Sequence, residues 1–307
     1  MAISEILVGA SLAGAAAAVT PFVVERLRPV RPNKADAPAA GKPGHRTHYR
    51  WLGPGDGPVA VCIHGLTTPS FVWEAFAPEL VRKGYRVLLY DLYGRGCSDY
   101  PDGLQSGAYF ADQLDELLNN LKTTEPVLVL GYSMGGAIAA TFAAKHPDRV
   151  RKLVLIAPAG FGHDLGAIPK ISAKLPLLGG ALMRLVYPSF SRNALETDRN
   201  QNCVVENMID RQIAETRWRG FAPAVWSSIR GVLSEDLAPS HRRIATLGIP
   251  TLIVWGEKDD VIPLKGMEHL DVWNSDASSV LIPNAGHGIP YTHLSELVSA
   301  CETVLSC

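Results

Sequence analysis

A serine between two glycines is the first chemical signal in this sequence. Ser133 is the centre of the segment GYSMG, directly after the apolar run Val127–Leu130 and before an alanine-rich helical pattern. This is the G-x-S-x-G pattern in the strand-turn-helix context that presents a nucleophilic serine. Glycines two residues away permit the sharp turn, and the N-terminus of the following helix favours developing negative charge. The sequence therefore predicts Ser133 as a nucleophile.

A serine hydroxyl needs a base, and the base needs a carboxylate that orients it. His287 follows the apolar run Ser279–Ile282 in a glycine-containing loop, and Asp259 follows the apolar run Thr251–Trp255. Both residues therefore belong at the carboxyl ends of strands, as Ser133 does. We predict His287 as the general base and Asp259 as its partner. Two adjacent carboxylates compete for the partner's role, Glu257 and Asp260.

An acyl-transfer intermediate also needs backbone donors for its oxyanion. We predict the N–H of Met134, next to Ser133, as one donor. The second candidate is the N–H of Leu66, in the segment HGL after the apolar run Val59–Ile63. Two further residues are interpreted as bracing the loops rather than reacting, namely His64 and Asp91.

Short apolar runs that alternate with helical patterns must position these groups. Such alternation predicts a parallel sheet with helices on both faces. Helices are expected over Phe71–Lys83, Tyr109–Leu121 and Ser133–His146. No strong strand pattern occurs over 161–244, so we predict a helical cap there. Its apolar side chains should pack the cap, and some should line the pocket: Leu175, Leu177, Leu178, Leu182, Met183, Val186, Phe190, Trp218, Phe221 and Trp226.

Five motifs together carry a family resemblance: HGL, DLYGRGCS, GYSMGG, WGEKD and the GH that contains His287. From about Tyr49 onward, the chain resembles the α/β-hydrolase superfamily, specifically its small bacterial capped serine hydrolases such as carboxylesterases and monoacylglycerol lipases. The resemblance implies a mostly parallel eight-stranded sheet with helices on both faces and a cap inserted after the sixth strand, near Ile156. It implies core segments at 47–160 and 245–307, and no cofactor or metal.

Absent signatures narrow the reaction. Haloalkane dehalogenases and epoxide hydrolases use an Asp nucleophile, whereas this chain has Ser133. The loop HGLTT differs from the loops typical of prolyl iminopeptidases, carbon–carbon bond hydrolases and lipases with the HGGG signature. We predict hydrolysis of small-molecule carboxylic esters with apolar acyl groups. Thioester hydrolysis, a cofactor-free lyase or synthase similar to a menaquinone-pathway member, and a non-catalytic receptor or scaffold remain alternatives.

The composition excludes other broad classes. A net charge of −1 without a basic stripe offers no electrostatic footprint for nucleic acid. A hydrophobic fraction of 47% excludes intrinsic disorder. The five cysteines are odd in number and irregularly spaced, which disfavours a disulfide framework or a zinc site. The sequence leaves the oligomeric state open.

The N-terminus carries an uncharged run of 19 residues, Ile6–Val24, with basic residues after it. That length is near the ~20 residues that cross a hydrocarbon core, and the basic flank favours a cytoplasmic C-terminal side. We therefore predict an inner-membrane anchor helix over 1–28, a linker over 29–46 and a cytoplasmic catalytic domain. A cleaved signal peptide with a secreted or periplasmic product is the alternative, as is a helix packed on the domain.

Overall fold

The computed structural model describes residues 19–31, 38–175 and 178–305. Its centre is an eight-stranded sheet in the order β1-β2-β4-β3-β5-β6-β7-β8. The pairs β1–β2 and β2–β4 are antiparallel, and all other pairs are parallel. The strands are β1 Ala39–Ala40, β2 Thr47–Leu52, β3 Val59–Ile63, β4 Arg86–Tyr90, β5 Val127–Tyr132, β6 Val150–Ile156, β7 Thr251–Gly256 and β8 Ser278–Ile282. The predicted mostly parallel eight-stranded sheet is confirmed.

Helices cover both faces of this sheet and form the cap. They are α1 Ala77–Arg82, α2 Gly107–Asn120, α3 Met134–Lys145, α4 Ala167–Lys174, α5 Gly179–Leu185, α6 Tyr187–Thr197, α7 Met208–Glu215, α8 Phe221–Arg230, α9 Ala238–Thr246, α10 Met267–Trp273, α11 Ile289–Thr292 and α12 Leu294–Leu305. Residues 19–27 are also helical. Helices α4 to α8 lie between β6 and β7 in the chain, which is the predicted place of the cap.

The central strands are apolar throughout because both of their faces are covered. Every residue of β5 is buried. Side chains alternate between two core clusters, with Val129 in the cluster that contains α2 and α3, and Leu128 in the cluster that contains α1 and α12. This two-residue period is the geometry of a strand between two helical layers.

Several predicted boundaries differ from the structure. The helix expected over Phe71–Lys83 is divided into a 3₁₀ turn, Ser70–Trp73, and α1, whose first turn contains a proline. The predicted linker includes the short strand β1. Two alanines give no recognisable strand pattern in the hydropathy, and β1 is defined only by its backbone pairing with β2. The predicted end of the cap at 244 falls within α9, which packs on the core: Ile244 is fully buried there, and Arg243 Nε donates to Ala144 O at 2.7 Å.

The predicted N-terminal anchor falls largely on residues 1–18, which lie outside the described residues. Within the described ranges, no helix combines the length and apolar character needed to cross a bilayer. The end of the helix over 19–27 and the residue that follows it contact the cap. Glu25 Oε1 accepts from the Gly220 N–H at 2.7 Å, and Arg28 Nη1 donates to Thr216 O at 3.0 Å. The end of the predicted anchor helix, residues 25–28, therefore lies on the cap.

Candidate active site

The candidate nucleophile stands at the sharp turn between β5 and α3. Ser133 has φ 55° and ψ −122°, a conformation that non-glycine residues seldom adopt. A Cβ at Gly131 would lie 2.3 Å from the carbonyl oxygen of Gly135, and one at Gly135 would lie 2.2 Å from the Ile63 carbonyl oxygen. Both flanking glycines are therefore sterically required. The Ser133 N–H donates to Ile156 O at 3.0 Å, which fixes the turn against β6.

The structure brings the three predicted triad residues together from separate loops. His287 Nε2 lies 2.9 Å from Ser133 Oγ, and His287 Nδ1 lies 2.9 Å from Asp259 Oδ2. The other oxygen of Asp259 accepts from the backbone N–H groups of Val261 and Ile262 at 2.9 and 2.8 Å. The Asp259 side chain is 1% exposed and that of His287 is 20% exposed. The carboxylate is thus held rigidly, while the imidazole faces the cavity described below.

The two carboxylates that compete with Asp259 in the sequence lie elsewhere. Glu257 Oε2 accepts from the backbone N–H of Asn284 at 2.8 Å, at an exposed position. Asp260 lines the cavity next to the site. The position opposite His287 Nδ1 is therefore occupied by Asp259, as the sequence predicts.

The predicted oxyanion donors are held in fixed peptides. Met134 is the first residue of α3, so its N–H has no carbonyl one turn earlier to bind. In the other loop, His64 Nε2 accepts from the Leu92 N–H at 2.9 Å, so the proton is on Nδ1, which donates to Gly65 O at 2.9 Å. This carbonyl shares a peptide with the Leu66 N–H, and His64 therefore sets its direction. Burial lowers the pKa of His64 to about 4, which keeps it neutral.

Arg95 is a structural partner of the same loop that the sequence reasoning missed. Its guanidinium is buried and donates to Leu66 O at 3.1 Å and to Ser228 Oγ at 2.8 Å. Burial lowers the pKa of Arg95 to about 10, so it stays charged at neutral pH. It thus ties the oxyanion loop to α8 of the cap. The sequence offered one signal for this role, because Arg95 is a charged residue between the two glycines of DLYGRG.

Asp91 shapes the loop after β4, as its setting suggests. Its oxygens accept from the backbone N–H groups of Ser70 and Cys97 at 3.0 and 2.9 Å, and from His48 Nδ1 at 3.0 Å. Burial by itself raises the pKa of Asp91, but these hydrogen bonds and the nearby His64 hold it well below its ordinary value. Although Asp91, His48 and Cys97 could together approach a metal ion, the carboxylate is already fully engaged by protein donors.

Tyr132 is a second residue that the sequence reasoning missed. Its hydroxyl donates to the carbonyl oxygen of His287 at 3.1 Å, and the two rings lie 5.3 Å apart between centroids. Burial raises the pKa of the phenol well above its ordinary value, so it remains a donor. Tyr132 therefore holds the backbone of the candidate base. Tyr132 occupies an x position of the G-x-S-x-G pattern, and the pattern does not specify which residue stands there or what it contacts.

A cavity of about 900 Å³ opens beside Ser133 and His287. Its wall is apolar and aromatic at Leu165, Tyr187, Phe190, Leu195 and Val261. Polar groups line it as well, and Gln212 Nε2 on α7 donates to Thr68 Oγ1 at 2.7 Å. The remaining polar lining includes Thr67, Ser191, Asp164, Asp198, Gln201, Asn202, Lys258 and Asp260.

The apolar cap residues named in the sequence analysis have different settings in the structure. Phe190 lines the cavity, whereas Met183 and Phe221 are buried within the cap. Leu178 is 67% exposed, and Leu177 lies outside the described residues. The sequence predicted that these side chains would pack the cap and that some would line the pocket, but which of them face the cavity depends on the packing between cap helices, which hydropathy does not specify.

Comparison with known proteins identifies the family. The model of the alpha/beta hydrolase fold matches residues 58–294, and the chain belongs to this family. A 2-hydroxy-6-oxononadienedioate/2-hydroxy-6-oxononatrienedioate hydrolase of Comamonas testosteroni is 27% identical over 78% of this chain and 84% of its own length. A pimeloyl-(acyl-carrier protein) methyl ester esterase of Aeromonas hydrophila is 27% identical over 81% of this chain and 95% of its own.

A solved structure shows the same fold. A hydrolase from Pseudomonas aeruginosa PA01 superposes with a TM-score of 0.74, covering 90% of this chain and 100% of that chain. At 23% sequence identity, this similarity concerns the fold alone. The chain is thus a member of a family of hydrolases whose relatives act on different substrates.

Proposed function

We propose that this protein is a serine hydrolase that cleaves neutral carboxylic esters through an acyl-Ser133 intermediate. The observation that carries the proposal is the unbroken line of hydrogen bonds from Ser133 Oγ through His287 to Asp259, beside a cavity large enough for a substrate. A hydroxyl, an imidazole and a buried carboxylate in this order are the parts of a general-base-activated nucleophile.

The reaction follows from these positions. His287 Nε2 takes the proton as Ser133 Oγ bonds to the ester carbonyl carbon, and Asp259 stabilises the imidazolium. The N–H groups of Leu66 and Met134 stabilise the oxyanion, each worth ~3–4 kcal/mol in the transition state. The C–O bond then breaks, and His287 returns its proton to the leaving alcohol. In the second half, His287 deprotonates water, which attacks the carbonyl carbon of the acyl-serine. The bond from this carbon to Ser133 Oγ then breaks, His287 returns the proton to Oγ, and the acid leaves.

The charge of the cavity favours neutral esters. Three carboxylates line it, Asp164, Asp198 and Asp260, against one lysine or arginine among the described lining residues, Lys258. A dicarboxylate such as the one in the name of the Comamonas relative would meet net repulsion here. The aromatic and aliphatic wall at Tyr187, Phe190 and Leu195 suits an apolar acyl chain of moderate length. These features favour ester over dienedioate hydrolysis.

Covalent labelling and an ester panel test the proposal. A fluorophosphonate probe should label the wild-type chain, and Ser133→Ala should abolish the labelling. The same variant should lower kcat on p-nitrophenyl esters at least ~10⁴-fold. The matched control is Ser191→Ala, which removes another cavity hydroxyl and should keep both properties. Labelling that persists in Ser133→Ala, or a folded wild-type chain without turnover of any ester from C2 to C12, would contradict the proposal.

We also propose that the N-terminal residues 1–28 attach the protein to a membrane, with the catalytic domain on the cytoplasmic side. The support is the uncharged run Ile6–Val24 and the arginines that follow it. Alkaline carbonate extraction of the membrane fraction should leave the full chain in the pellet. Release of an N-terminally shortened protein into the periplasm would instead indicate a cleaved signal peptide.

A further inference from the structure

The cap and the N-terminal helix that contacts it both expose large apolar side chains. Phe22 and Leu27 in the helix over 19–27 are 58% and 79% exposed, and Ile171, Leu178 and Leu185 in the cap are 51%, 67% and 44% exposed. We call these five residues the cap face. Most of the large apolar side chains that are exposed in the described part of the chain lie in these two segments. Such a concentration is typical of an interaction surface.

Direct contacts join the two segments into one surface. The Arg184 guanidinium lies 4.8 Å from the centroid of the Phe22 ring. Arg28 Nη2 donates to the Arg184 carbonyl oxygen at 3.3 Å. On the far side, the Arg219 N–H donates to Pro29 O at 2.9 Å. The N-terminal segment is therefore fixed to the cap rather than lying free beside it.

The cap part of this surface is basic as well as apolar. Between Asp164 and Glu196 the chain has no acidic residue, yet it has four cations there, Lys170, Lys174, Arg184 and Arg192. Of these, Lys170 pairs with Asp164 at 2.6 Å, so the excess of positive charge comes from the other three. Apolar side chains with basic neighbours and few acids are the composition of helices that lie in the interface of an anionic bilayer. Anionic lipid headgroups attract the cations of such a surface. An uncharged apolar partner would leave these cations without a counter-charge.

The chain before this surface indicates the same occupant. Residues 6–18 carry no charge and lead directly into the helix that displays Phe22. A bilayer accommodates both this uncharged run and the cap face. We propose that the cap face docks on the surface of an anionic phospholipid bilayer, so that the cap itself contacts the membrane in addition to any N-terminal anchor.

This placement brings the membrane next to the cavity. Leu185 ends α5, and α6 begins two residues later with Tyr187, which lines the cavity together with Phe190. A bilayer in contact with the cap face therefore lies against the turn that leads into the cavity wall. If the proposed ester hydrolysis holds, an apolar ester has a short path from the bilayer to this wall.

Hydrogen exchange on the full chain tests the docking surface. Vesicles of phosphatidylcholine with phosphatidylglycerol should protect peptides over 167–186, and peptides over 263–283 should exchange as before. Pure phosphatidylcholine vesicles should protect 167–186 less. Unchanged exchange at 167–186 in a protein that is bound to vesicles would leave only the N-terminal attachment and overturn the proposal. Protection without vesicles that grows with protein concentration would indicate a second copy of the chain and also overturn it.

Matched variants test the same surface by a second route that an N-terminal anchor does not mask. Leu178→Glu with Leu185→Glu should lower the protection of 167–186 in the vesicle-bound full chain at least ~10-fold. The control is Leu247→Glu with Val272→Glu, which changes two apolar residues of similar exposure, 45% and 71%, outside the cap face. The control should show the same protection at 167–186 as the wild-type chain.

Turnover of p-nitrophenyl acetate in solution should be equal in both variants, which separates this proposal from the proposed function. Equal protection of 167–186 in the two vesicle-bound variants, with activity intact, would contradict the docking surface. A difference in protection without esterase activity in any form would contradict only the proposed function.

Discussion

The edge of the sheet and the cap meet at one cavity but are built on different principles. At the sheet edge, polar groups are held by buried backbone partners: Ser133 by Ile156, Asp259 by Val261 and Ile262. The cap exposes large apolar side chains such as Leu178 and Leu185. The groups at the edge are thus held by fixed internal partners, whereas part of the cap leaves apolar side chains exposed.

This difference suggests a division of labour. Groups whose positions must hold within a fraction of an ångström belong on strand ends and their tight loops. Groups that select a substrate or a surface can tolerate larger displacements and can lie on the cap. Substitutions at the edge should therefore change kcat, and substitutions on the cap side should change KM.

The largest expected effect is at the carboxylate. Asp259→Asn keeps the size of the side chain but cannot stabilise an imidazolium at His287, so kcat should fall ~10⁴-fold with the fold intact. The control is Asp260→Asn at the adjacent cavity-lining position, for which steady-state kinetics should show a kcat near that of the wild-type enzyme. Comparable losses in both variants would remove the assigned role of Asp259.

The next largest effect is on the pH dependence of stability, and it concerns a buried core residue rather than the groups at the sheet edge. His241 on α9 is fully buried against Phe161, and burial lowers its pKa to about 4. Because the unfolded pKa is ~6.5, its contribution is complete above that pH and is lost as the pH falls towards 4. Denaturant titrations should show ~2 kcal/mol less loss of stability from pH 7.5 to 5 in His241→Leu than in the wild-type chain.

The control for that experiment is the exposed His269→Gln, which should keep the pH dependence of the wild-type chain. If His241→Leu loses as much stability at low pH as the wild-type protein, the buried imidazole is not the cause of the loss of stability below pH ~6.5. Activity at pH 5 can then be assessed separately from unfolding.

Tyr132 and Tyr187 allow the same chemical change on the two sides of the cavity. Tyr132→Phe removes the donor to the His287 carbonyl, so kcat should fall ~10-fold at nearly constant KM, the cost of one buried hydrogen bond. Tyr187→Phe on the cap side should leave kcat unchanged. An effect of Tyr132→Phe on KM alone would mean that this tyrosine contacts the substrate rather than positioning the base.

The smallest effect should come from the cavity wall. Phe190→Ala removes part of the apolar lining, so KM for a C8 ester should rise ~5-fold, which corresponds to ~1 kcal/mol of lost contact, at constant kcat. The C2 ester does not reach this wall and is the internal control. An equal change for both esters would show that the acyl chain binds elsewhere.

Much of the site could be predicted because its signals are local. Ser133, Asp259 and His287 each follow an apolar strand within a short loop, and the ends of parallel strands meet at one edge of a sheet. The packing of the cap could not be predicted in the same way. The polar lining near Gln212, and the link of Arg95 to Ser228, depend on which helix faces meet, and many arrangements share the same hydropathy.

The sequence by itself therefore determined the parallel strands, their helical crossovers and the three candidate triad residues, because strand periodicity and the steric demands of glycine act over a few residues. Tertiary structure alone decided how His64, Arg95 and Tyr132 hold these groups, and where the cap turns its polar and apolar faces. These contacts join residues far apart in the chain, and their free energy depends on the geometry of the whole packed interface rather than on any local pattern.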